Sequence, residues 1–293
     1  MSAFKHIGIL GRLGNVQVVE SVVALLELAR ARDIPVLVED VVATALASVK
    51  CNIATRSQIG EQCDLVVVVG GDGSLLGAAR SLAEYDVQVL GVNRGRLGFL
   101  TDIRPDDMEV KVSEVLDGEY SLAERFLLDV IVERDGVAVA HSHALNDAVV
   151  NSGGSARMIS FDLYMNDLFV YSQDSDGLIV STPTGSTAYS LSGGGPIMHP
   201  DLDAIVLVPM FPHTLSARPI VVGGNTEIKI IIGDCYPYVS CDGQIHLNAA
   251  PGDVVTIRKN THSLKLIHPI GHNFYAACRD KLGWSGRLTE PTG

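Results

Sequence analysis

The first 120 residues alternate short apolar runs with segments in which apolar residues recur every three or four positions. Short apolar runs bounded by turn formers predict buried strands, and the longer spacing predicts amphipathic helices. The predicted strands are His6 to Leu10, Pro35 to Val38, Leu65 to Val69 and Val87 to Val92. The predicted helices are Val16 to Arg30, Val41 to Val49, a helix capped by Ser74, and Pro105 to Leu116. This alternation predicts a doubly wound, Rossmann-like α/β domain.

Beyond this domain the apolar pattern changes to a period of two, which predicts strands with one buried face. The turn pairs Asp135-Gly136 and Asn166-Asp167 each separate two such runs and predict β-hairpins. Further predicted strands are Ala204 to Val208, Ile220 to Val222, Glu227 to Ile232, Tyr238 to Cys241, Val254 to Arg258 and Leu264 to Ile267. The second domain is therefore predicted to be mainly β.

The C-terminal segment returns to helical spacing, because Phe274, Ala277, Cys278 and Leu282 fall on one stripe of a helix. We expect this helix to pack back on the first domain. The predicted division is an α/β domain at 1–120, a mainly β domain at 121–271, and a returning helix and tail at 272–293.

Composition and charge narrow the classes of function. The chain has 293 residues and a formal net charge of -12, which argues against broad contact with nucleic acid or an anionic membrane. Its apolar runs are too short to span a bilayer, and its start lacks a secretory signal, so we expect a cytoplasmic protein. The five cysteines form no C-x-x-C pair and are expected to be reduced. His141 and His143 share one face of a predicted strand, but among nine scattered histidines a structural metal site is the weaker prediction.

The segment with the clearest chemistry is the Gly-Gly-Asp-Gly-Ser loop at Gly70 to Ser74, which directly follows four consecutive valines. Glycines let the backbone turn sharply and approach a ligand closely. Asp72 falls where a parallel strand gives way to a helix, the edge at which open α/β sheets bind ligands. This layout suits phosphoryl transfer, and the alternative is a tight turn with a capping Asp.

A second candidate loop, Gly91 to Leu100, follows the next strand and contains glycine, arginine and Phe99. It is suited to a charged, ring-bearing ligand, and the alternative is an ordinary loop with Phe99 in the core. The arginines best suited to hold a phosphate are Arg94, Arg96 and Arg157.

Two further segments carry polar groups at strand ends. Asn146-Asp147 can hydrogen-bond two ribose hydroxyls, although both residue types are also common turn formers. The run from Asp176 to Gly195 concentrates small hydroxyl residues and glycines, which are costly in a core and therefore favour a binding loop. Within it, Tyr189 can stack on a base or seal the loop against the sheet.

These segments together resemble the NAD kinase family of the bacterial type. The matching residues are Gly70 to Ser74, Asn93 to Phe99, Asn146-Asp147, Asp176-Gly177 leading into Thr182 to Ser190, and Cys241 to Gln244. They stand in the order and spacing of the family and span most of the chain.

The resemblance implies phosphorylation of the adenosine-ribose 2′-hydroxyl of NAD by ATP with Mg²⁺ or another divalent cation, in a homo-oligomer. It implies that Asp72 is catalytic, that Gly70, Gly71, Gly73 and Ser74 form a phosphate loop, and that no protein side chain ligates the metal directly. The mainly β domain is then expected to bind the dinucleotide. The implied NAD-binding residues are Asp72, Gly73, Phe99, Asn146, Asp147, Arg157, Asp174, Asp176, Thr187, Ala188, Tyr189, Ser190, Leu191, Ser192 and Gln244.

The chain departs from the family pattern at two positions. Asp174 stands where many members carry a basic residue, so it cannot clamp a phosphate there. Ser74 replaces the commoner Thr and keeps the hydroxyl.

Other classes of function compete with this interpretation. The chain has neither a Walker motif nor a regular G-x-G-x-x-G, so typical P-loop NTPases and dehydrogenases lose support. Phosphofructokinases and lipid kinases resemble the Gly-Gly-Asp-Gly loop, and only the Thr182 to Ser190 run favours a dinucleotide acceptor. A dinucleotide sensor without phosphoryl transfer is the non-enzymatic alternative.

Overall fold

The computed structural model describes residues 2–12, 14, 16–46, 49–95, 98–153, 158–214 and 216–284. The chain separates into two compact units. The first unit comprises residues 1–123 and 265–293, and the second comprises residues 124–264. Two long strands, at 120–134 and 254–269, begin in one unit and end in the other.

The first unit contains a parallel sheet. Its strands are β1 (Ile7–Gly11), β2 (Val36–Glu39), β3 (Asn52–Ala54), β4 (Leu65–Gly70), β5 (Gln88–Asn93) and the last part of β17 (Val254–Pro269). They are ordered β17-β5-β4-β1-β2-β3, and every neighbouring pair is parallel. All six residues of β4 are buried, as expected for a strand covered on both faces.

Helices connect these strands and supply the rest of the apolar core. They are α1 (Val16–Ala31), α2 (Asp40–Ala43), α3 (Arg56–Gln62), α4 (Asp72–Leu82), α5 (Met108–Leu116, preceded by a 3₁₀ turn at Pro105–Asp107) and α7 (Phe274–Leu282). The core of this unit joins strand valines and leucines to the inner faces of α1 and α5. The predicted α/β fold of the N-terminal part is confirmed.

The second unit is almost entirely antiparallel sheet, as predicted. Its strands are β6 (Tyr120–Arg134), β7 (Val137–Ala144), β8 (Asp147–Asn151), β9 (Ile159–Met165), β10 (Leu168–Ser175), β11 (Gly177–Ser181), β12 (Ala204–Met210), β13 (Ile220–Gly223), β14 (Ile228–Ile232), β15 (Tyr238–Cys241), β16 (Ile245–Asn248) and the first part of β17. One sheet has the order β13-β12-β11-β8-β15-β16, and another contains β10-β9-β14-β17, with β6 paired to β7 and β17. A 3₁₀ turn at Thr184–Thr187 and the short α6 (Tyr189–Ser192) follow β11.

Both predicted hairpin turns are confirmed. Asp135 and Gly136 have φ values of 52° and 76°, and Asn166 and Asp167 have φ values of 49° and 62°. Two consecutive residues with positive φ define the type I′ turn, whose twist matches that of the flanking strands. Asn, Asp and Gly tolerate this conformation better than other residues do, which is why the sequence signal was reliable.

Two local predictions need correction. The helix predicted from Val41 to Val49 ends at Ala43, because a turn follows in which the Thr44 hydroxyl donates to the Val41 carbonyl at 2.7 Å. Ser74 does not cap α4. That helix begins at Asp72, with Gly71 as its N-cap, so Ser74 already lies inside the first turn.

Helix α3 is absent from the elements predicted above, although its start carries a recognisable sequence signal. Thr55 accepts a hydrogen bond from the Gln58 amide, and the Gln58 side chain accepts one from the Thr55 amide. This reciprocal pair is a capping box, a sequence pattern that marks the start of a helix. The short strand β3 just before it was missed as well.

Two further observations concern the chain as a whole. No helix among the described residues is both long and apolar enough to cross a membrane. All five cysteines carry free thiols.

Candidate active site

The first candidate site lies at the carboxyl end of β4, where Asp72 occupies the first turn of α4. The Asp72 carboxylate accepts hydrogen bonds from three groups of one loop. Its Oδ2 accepts the Phe99 amide at 2.7 Å, and its Oδ1 accepts the Leu100 amide at 3.2 Å and the Thr101 hydroxyl at 2.9 Å. Three donors therefore hold this carboxylate in one orientation.

A second layer orients the Thr101 hydroxyl. The side-chain amide of Asn93, at the end of β5, donates to Thr101 Oγ1 at 2.8 Å. Both side chains are buried, so this hydrogen bond is shielded from water. No sequence pattern marks Thr101 as a site residue, because a Thr that follows an apolar pair carries no pattern of its own.

Gly98 makes the approach of the loop to Asp72 possible. A Cβ atom at position 98 would lie 1.5 Å from Asp72 Oδ1, far inside contact distance. Any larger residue would therefore displace the carboxylate or the loop. Gly95, in the same loop, has open space around its Cβ position.

Phe99 is held within the first unit through its ring. The ring centroid lies 6.4 Å from that of Phe274, and Lys281 Nζ lies 5.0 Å from the Phe99 centroid. Burial lowers the pKa of Lys281, while the negative charges of Asp72 and Asp102 oppose that shift. No sequence pattern predicts the contact of Lys281 with Phe99, because the two residues are far apart in the chain and meet only in the folded protein.

The remaining residues of the predicted phosphate loop have defined local roles. The Ser74 amide donates to the Gly71 carbonyl at 2.9 Å, so it closes the turn. A Cβ at Gly70 would lie 2.3 Å from Ser74 Oγ, which explains the glycine there. The Arg94 amide donates to the Gly70 carbonyl at 2.9 Å, and the Arg94 guanidinium donates to the Ser21 hydroxyl on α1. Gly73 is exposed on the first turn of α4.

The second candidate site is in the second unit, around the turn between β7 and β8. The Asp242 carboxylate accepts the backbone amides of Leu145 at 3.1 Å and Asn146 at 2.8 Å. Asp242 itself has a φ of 53°, at the turn between β15 and β16. One carboxylate thus fixes the backbone that presents Asn146 and Asp147.

Asp147 is a buried carboxyl group, 4% exposed. Burial and the negative charge of Asp242 raise its pKa to about 7, although a hydrogen bond from the Tyr189 backbone opposes the shift. Next to it, Asn146 Oδ1 is buried and accepts no hydrogen bond from the described residues. A buried acceptor without a partner is costly, so a ligand donor at this position would relieve that cost.

Hydroxyl groups of Ser181 and of the Thr182 to Ser190 run form hydrogen bonds that stabilise the loop. Thr182 Oγ1 donates to the Leu145 carbonyl at 2.6 Å, and Ser181 Oγ donates to the Asn146 carbonyl at 3.1 Å. Ser186 Oγ accepts the Met198 amide at 2.9 Å. These buried hydroxyls shape the loop, whereas Ser190 Oγ is buried without a partner among the described residues.

A cavity of about 200 Å³ opens beside these residues, lined by Asn146, Asp147, Val149, Asn151, Ala188, Tyr189, Ser240, Asp242 and Gly243. Ligand pockets usually measure about 300–1,000 Å³, so this cavity has room for one part of a dinucleotide. The structure therefore brings together Asn146, Asp147, Ala188 and Tyr189 from separate predicted segments. The lining residues Asp242 and Gly243 directly precede Gln244, one of the predicted NAD-binding residues, in the chain.

Other predicted binding residues flank this cavity or lie apart from it. Thr187 ends the 3₁₀ turn, Ser190, Leu191 and Ser192 continue along α6, and Gln244 is exposed after the β15–β16 turn. Asp174 and Asp176 are exposed near the start of β11, whereas Asp147 pairs with Ser181 at its end. Four residue steps of strand separate these ends by about 13 Å. Arg96 and Arg157 lie outside the described residues.

Comparison with known proteins identifies the family. The family model of the ATP-NAD kinase N-terminal domain matches residues 7–120, and that of the ATP-NAD kinase C-terminal domain matches residues 145–269. The chain is 62% identical over 288 residues to an NAD kinase of Hahella chejuensis, covering 97% of each chain. It is 58% identical over 291 residues to an NAD kinase of Azotobacter vinelandii, covering 98% of this chain and 99% of that one. The chain belongs to the NAD kinase family.

Solved structures agree with the fold. A yeast NADH kinase complexed with NADH superposes with a TM-score of 0.90 at 25% identity, covering 98% of this chain and 90% of the yeast chain. An NAD kinase from Archaeoglobus fulgidus in complex with ATP superposes with a TM-score of 0.74 at 24% identity, covering 96% and 100%. The predicted combination of an α/β part and a mainly β part is the fold of this family.

We predict that Gly98→Ala lowers the turnover number for NADP formation by about 100-fold, a loss that a misplacement of about 1 Å can cause. The new Cβ would collide with Asp72 Oδ1 and move the carboxylate. Steady-state kinetics measure the effect. Gly95→Ala is the matched control, and it should keep wild-type turnover because its Cβ meets open space. Equal turnover in both variants would show that the turnover number does not depend on the orientation of Asp72.

We predict that Asp147→Asn stabilises the ligand-free protein at pH 8 but not at pH 4. The folded-state pKa of about 7 exceeds the ordinary value of 3.8, so the folded state binds more protons between these pH values and loses stability as the pH rises through them. One pKa unit corresponds to about 1.4 kcal/mol, so the shift gives an upper limit of about 4 kcal/mol. Denaturant unfolding at several pH values measures it.

The exposed Asp234→Asn is the control for this experiment, and its unfolding free energy should follow the wild-type pH dependence. Parallel pH profiles for wild type and Asp147→Asn would contradict the assignment of a raised pKa to Asp147.

Proposed function

We propose that this NAD kinase family member transfers the γ-phosphoryl group of ATP to the 2′-hydroxyl of the adenosine ribose of NAD, with Asp72 as the catalytic base. The observation that carries the assignment is the Asp72 carboxylate, held by three donors at the carboxyl end of a parallel strand. Ligands bind at this edge of open α/β sheets. A fixed carboxylate is what proton removal from a hydroxyl requires.

In the proposed mechanism, Asp72 accepts the proton of the 2′-hydroxyl as that oxygen attacks the γ-phosphorus. The bond between the γ-phosphorus and the bridging oxygen breaks, and ADP leaves. Because little other chemistry is required of the protein, its main contribution is to position the reactants. The layer formed by Asn93 and Thr101 contributes by fixing Asp72.

The residues of the second unit are proposed to hold the dinucleotide. Asn146 Oδ1 is a buried acceptor without a partner among the described residues, and it suits a hydroxyl or amine donor. Burial and the charge of Asp242 raise the pKa of Asp147 to about 7, so both its protonated and its charged form are accessible near neutral pH, and it can donate or accept a hydrogen bond to a ribose hydroxyl. Tyr189, 46% exposed beside the same cavity, is available to stack on a base.

Mg²⁺ or another divalent cation belongs to the proposal as the partner of ATP. Both Asp72 oxygens accept hydrogen bonds from the protein, so the residues fit an ion carried by the ATP phosphates better than one bound directly by this side chain. The ion supplies charge neutralisation on the transferred group when ATP is bound. The glycines of the phosphate loop, Gly70, Gly71 and Gly73, together with Ser74, are proposed to lie against these phosphates.

A homo-oligomer and a cytoplasmic location are parts of the same proposal. Asp174 and Asp176 are at the opposite end of β11 from Asp147, so within one chain they are remote from the cavity beside Asp147. We propose that they complete the site of a second copy. The five free thiols suit a reducing compartment.

The proposed function is tested by product analysis with purified protein, ATP and Mg²⁺. NAD should give NADP and ADP in equal amounts, and NADH, a sugar phosphate and a lipid serve as alternative acceptors. Phosphorylated sugar or lipid without NADP would favour the related kinases. Absence of ADP release with saturating NAD would favour a dinucleotide sensor.

We predict that Asp72→Asn lowers the turnover number by about 10²- to 10⁴-fold, which is the usual contribution of a general base. The amide keeps the size of the side chain but cannot accept the proton, so NAD affinity should change little. Steady-state kinetics and calorimetric NAD binding separate the two effects. Asp106→Asn, an exposed substitution in the same unit, is the control and should match wild type. Near-normal turnover of Asp72→Asn would exclude this residue as the base.

We predict that Asp72→Asn and Asp176→Asn chains complement each other when co-expressed. If the site takes Asp72 from one copy and Asp176 from another, mixed oligomers contain some sites without a substitution. The turnover of the mixture should exceed that of Asp72→Asn alone by more than about tenfold, given the loss expected for that variant. It should also exceed the mean of the two variants measured separately. Oligomers that form without any recovery of activity would contradict a shared site.

A further inference from the structure

The loop that holds Asp72 is itself anchored to the C-terminal segment of the first unit. Residues 99–101 supply the three donors to the Asp72 carboxylate, and Asp102 follows them directly. His268 is near the end of β17, and His272 just precedes α7. Both histidines bond through Nδ1 to the same oxygen, Asp102 Oδ2, with His272 at 3.0 Å. Two side chains from the far end of the sequence therefore converge on this loop.

The two imidazole rings are stacked, and both direct a donor at Asp102. Their centroids are 3.9 Å apart, and the planes differ by 13°. His268 Nε2 is buried without a partner among the described residues, so Nδ1 is the ring atom that connects His268 to the loop. Burial alone would raise the pKa of Asp102, but the hydrogen bonds from both rings outweigh that effect and lower it to about 2. Asp102 is therefore a charged acceptor, and the two rings are the donors.

Adjacent residues of the loop connect this anchor to the proposed base. The Thr101 hydroxyl donates to Asp72 Oδ1 at 2.9 Å, whereas the neighbouring Asp102 accepts from the two histidines. One residue further, the Ile103 carbonyl accepts the Asn93 amide at 2.9 Å, which joins the end of the loop to β5. Thr101 and Ile103 are both fully buried, so this segment is packed on either side of Asp102. A shift of Asp102 would therefore move the hydroxyl that orients Asp72.

The other end of the same loop also contacts the C-terminal segment. The Phe99 ring packs near Phe274 and beneath Lys281 Nζ, while the Phe99 amide donates to Asp72. Ring contacts of this kind tolerate small displacements, because dispersion has little directional preference. Hydrogen bonds to a charged carboxylate are shorter and stronger than those between neutral groups. The bonds to Asp102 are therefore the directional part of the anchor.

We propose that His268 and His272 are positioning residues for phosphoryl transfer, because they hold Asp102 and thereby fix the loop that orients the Asp72 carboxylate. This inference rests on the proposed function of Asp72 as the base. The two histidines contact no substrate and transfer no proton in this proposal. Their contribution is to the turnover number, since a misplacement of about 1 Å caused by a change far from the chemistry can cost about 100-fold in rate.

A second cluster of two histidines and one aspartate lies in the second unit and provides a comparison. His141 Nε2 and His143 Nδ1 lie 2.5 Å and 3.3 Å from Asp129 Oδ1. These residues belong to β6 and β7, whereas the loop at 98–102 belongs to the first unit. A substitution of His141 therefore removes the same kind of hydrogen bond without altering the anchor of the loop that holds Asp72.

The test separates the hydrogen bond of His272 from the packing of its ring. His272→Phe keeps a ring to stack on His268 but removes the donor, whereas His272→Asn removes the ring and offers an amide nitrogen in place of Nδ1. We expect His272→Phe to lower the turnover number for NADP formation by about 10- to 100-fold with unchanged KM for NAD and ATP, the range found when a partner that orients a functional side chain is lost. His272→Asn should keep most of the wild-type turnover. His141→Phe is the matched control and should equal wild type.

The same substitution in an Asp72→Asn background distinguishes positioning of the base from a general effect on the fold. If His272 acts by orienting the Asp72 carboxylate, its loss has no further effect once that carboxylate is an amide. Asp72→Asn and the double variant should then differ in turnover by less than about twofold, because residues that act as a unit have non-additive effects. A merely structural role predicts the same fold loss in both backgrounds. Melting temperatures are measured for every variant.

Three results would overturn the proposal. They are wild-type turnover in folded His272→Phe, an equal loss in both Asp72 backgrounds, and an equal loss in His141→Phe. If His272→Phe does not fold, His272→Asn decides the matter, since loss of turnover despite the restored donor would contradict the proposal and retained turnover would support it. The proposed function fails by a different result, which is near-normal turnover of Asp72→Asn or absence of NADP with the wild-type protein.

Discussion

The orientation of a single carboxylate, Asp72 at the end of a buried parallel strand, depends on the loop that follows the neighbouring strand. Two amides and one hydroxyl hold Asp72, and the loop can approach closely only because position 98 has no side chain. The side-chain amide of Asn93 donates a hydrogen bond to the Thr101 hydroxyl and so fixes its orientation. Because these hydrogen bonds are partly or fully shielded from water, the orientation of the carboxylate is set before any substrate arrives.

In the second unit, by contrast, a carboxyl group lies in an environment that disfavours its charged form. Asp147 is buried close to the charge of Asp242, and Asn146 Oδ1 lacks a partner among the described residues. Both features reduce the stability of the ligand-free protein. Groups of this kind are typical of binding sites, where a ligand supplies the missing interactions. The surrounding hydroxyls of Ser181, Thr182 and Ser186 instead form hydrogen bonds with the backbone that stabilise the conformation of the loop.

The C-terminal segment contributes to the first unit through side chains that are far away in sequence. Phe274 contacts Phe99, and Lys281 lies over the same ring. His268 and His272 meet at Asp102, one residue after the Thr101 that bonds to Asp72. The loop that orients Asp72 therefore borders a second set of polar contacts, in which Asp102 pairs with two histidines of the C-terminal segment.

The local elements and the chemical character of each loop follow from short stretches of the amino-acid sequence. The valine run, the glycines around Asp72 and the two type I′ turns depend on short-range sterics and periodicity, so they could be predicted without tertiary structure. The family resemblance likewise rested on contiguous motifs. In contrast, the contacts of Asp72 with Thr101, of Asp242 with the Asn146 amide, and of His268 with Asp102 join residues that are 29, 96 and 166 positions apart. These contacts could not be predicted from local patterns, because burial, desolvation and hydrogen-bond geometry depend on which segments the fold brings together and not on the order of residues along the chain.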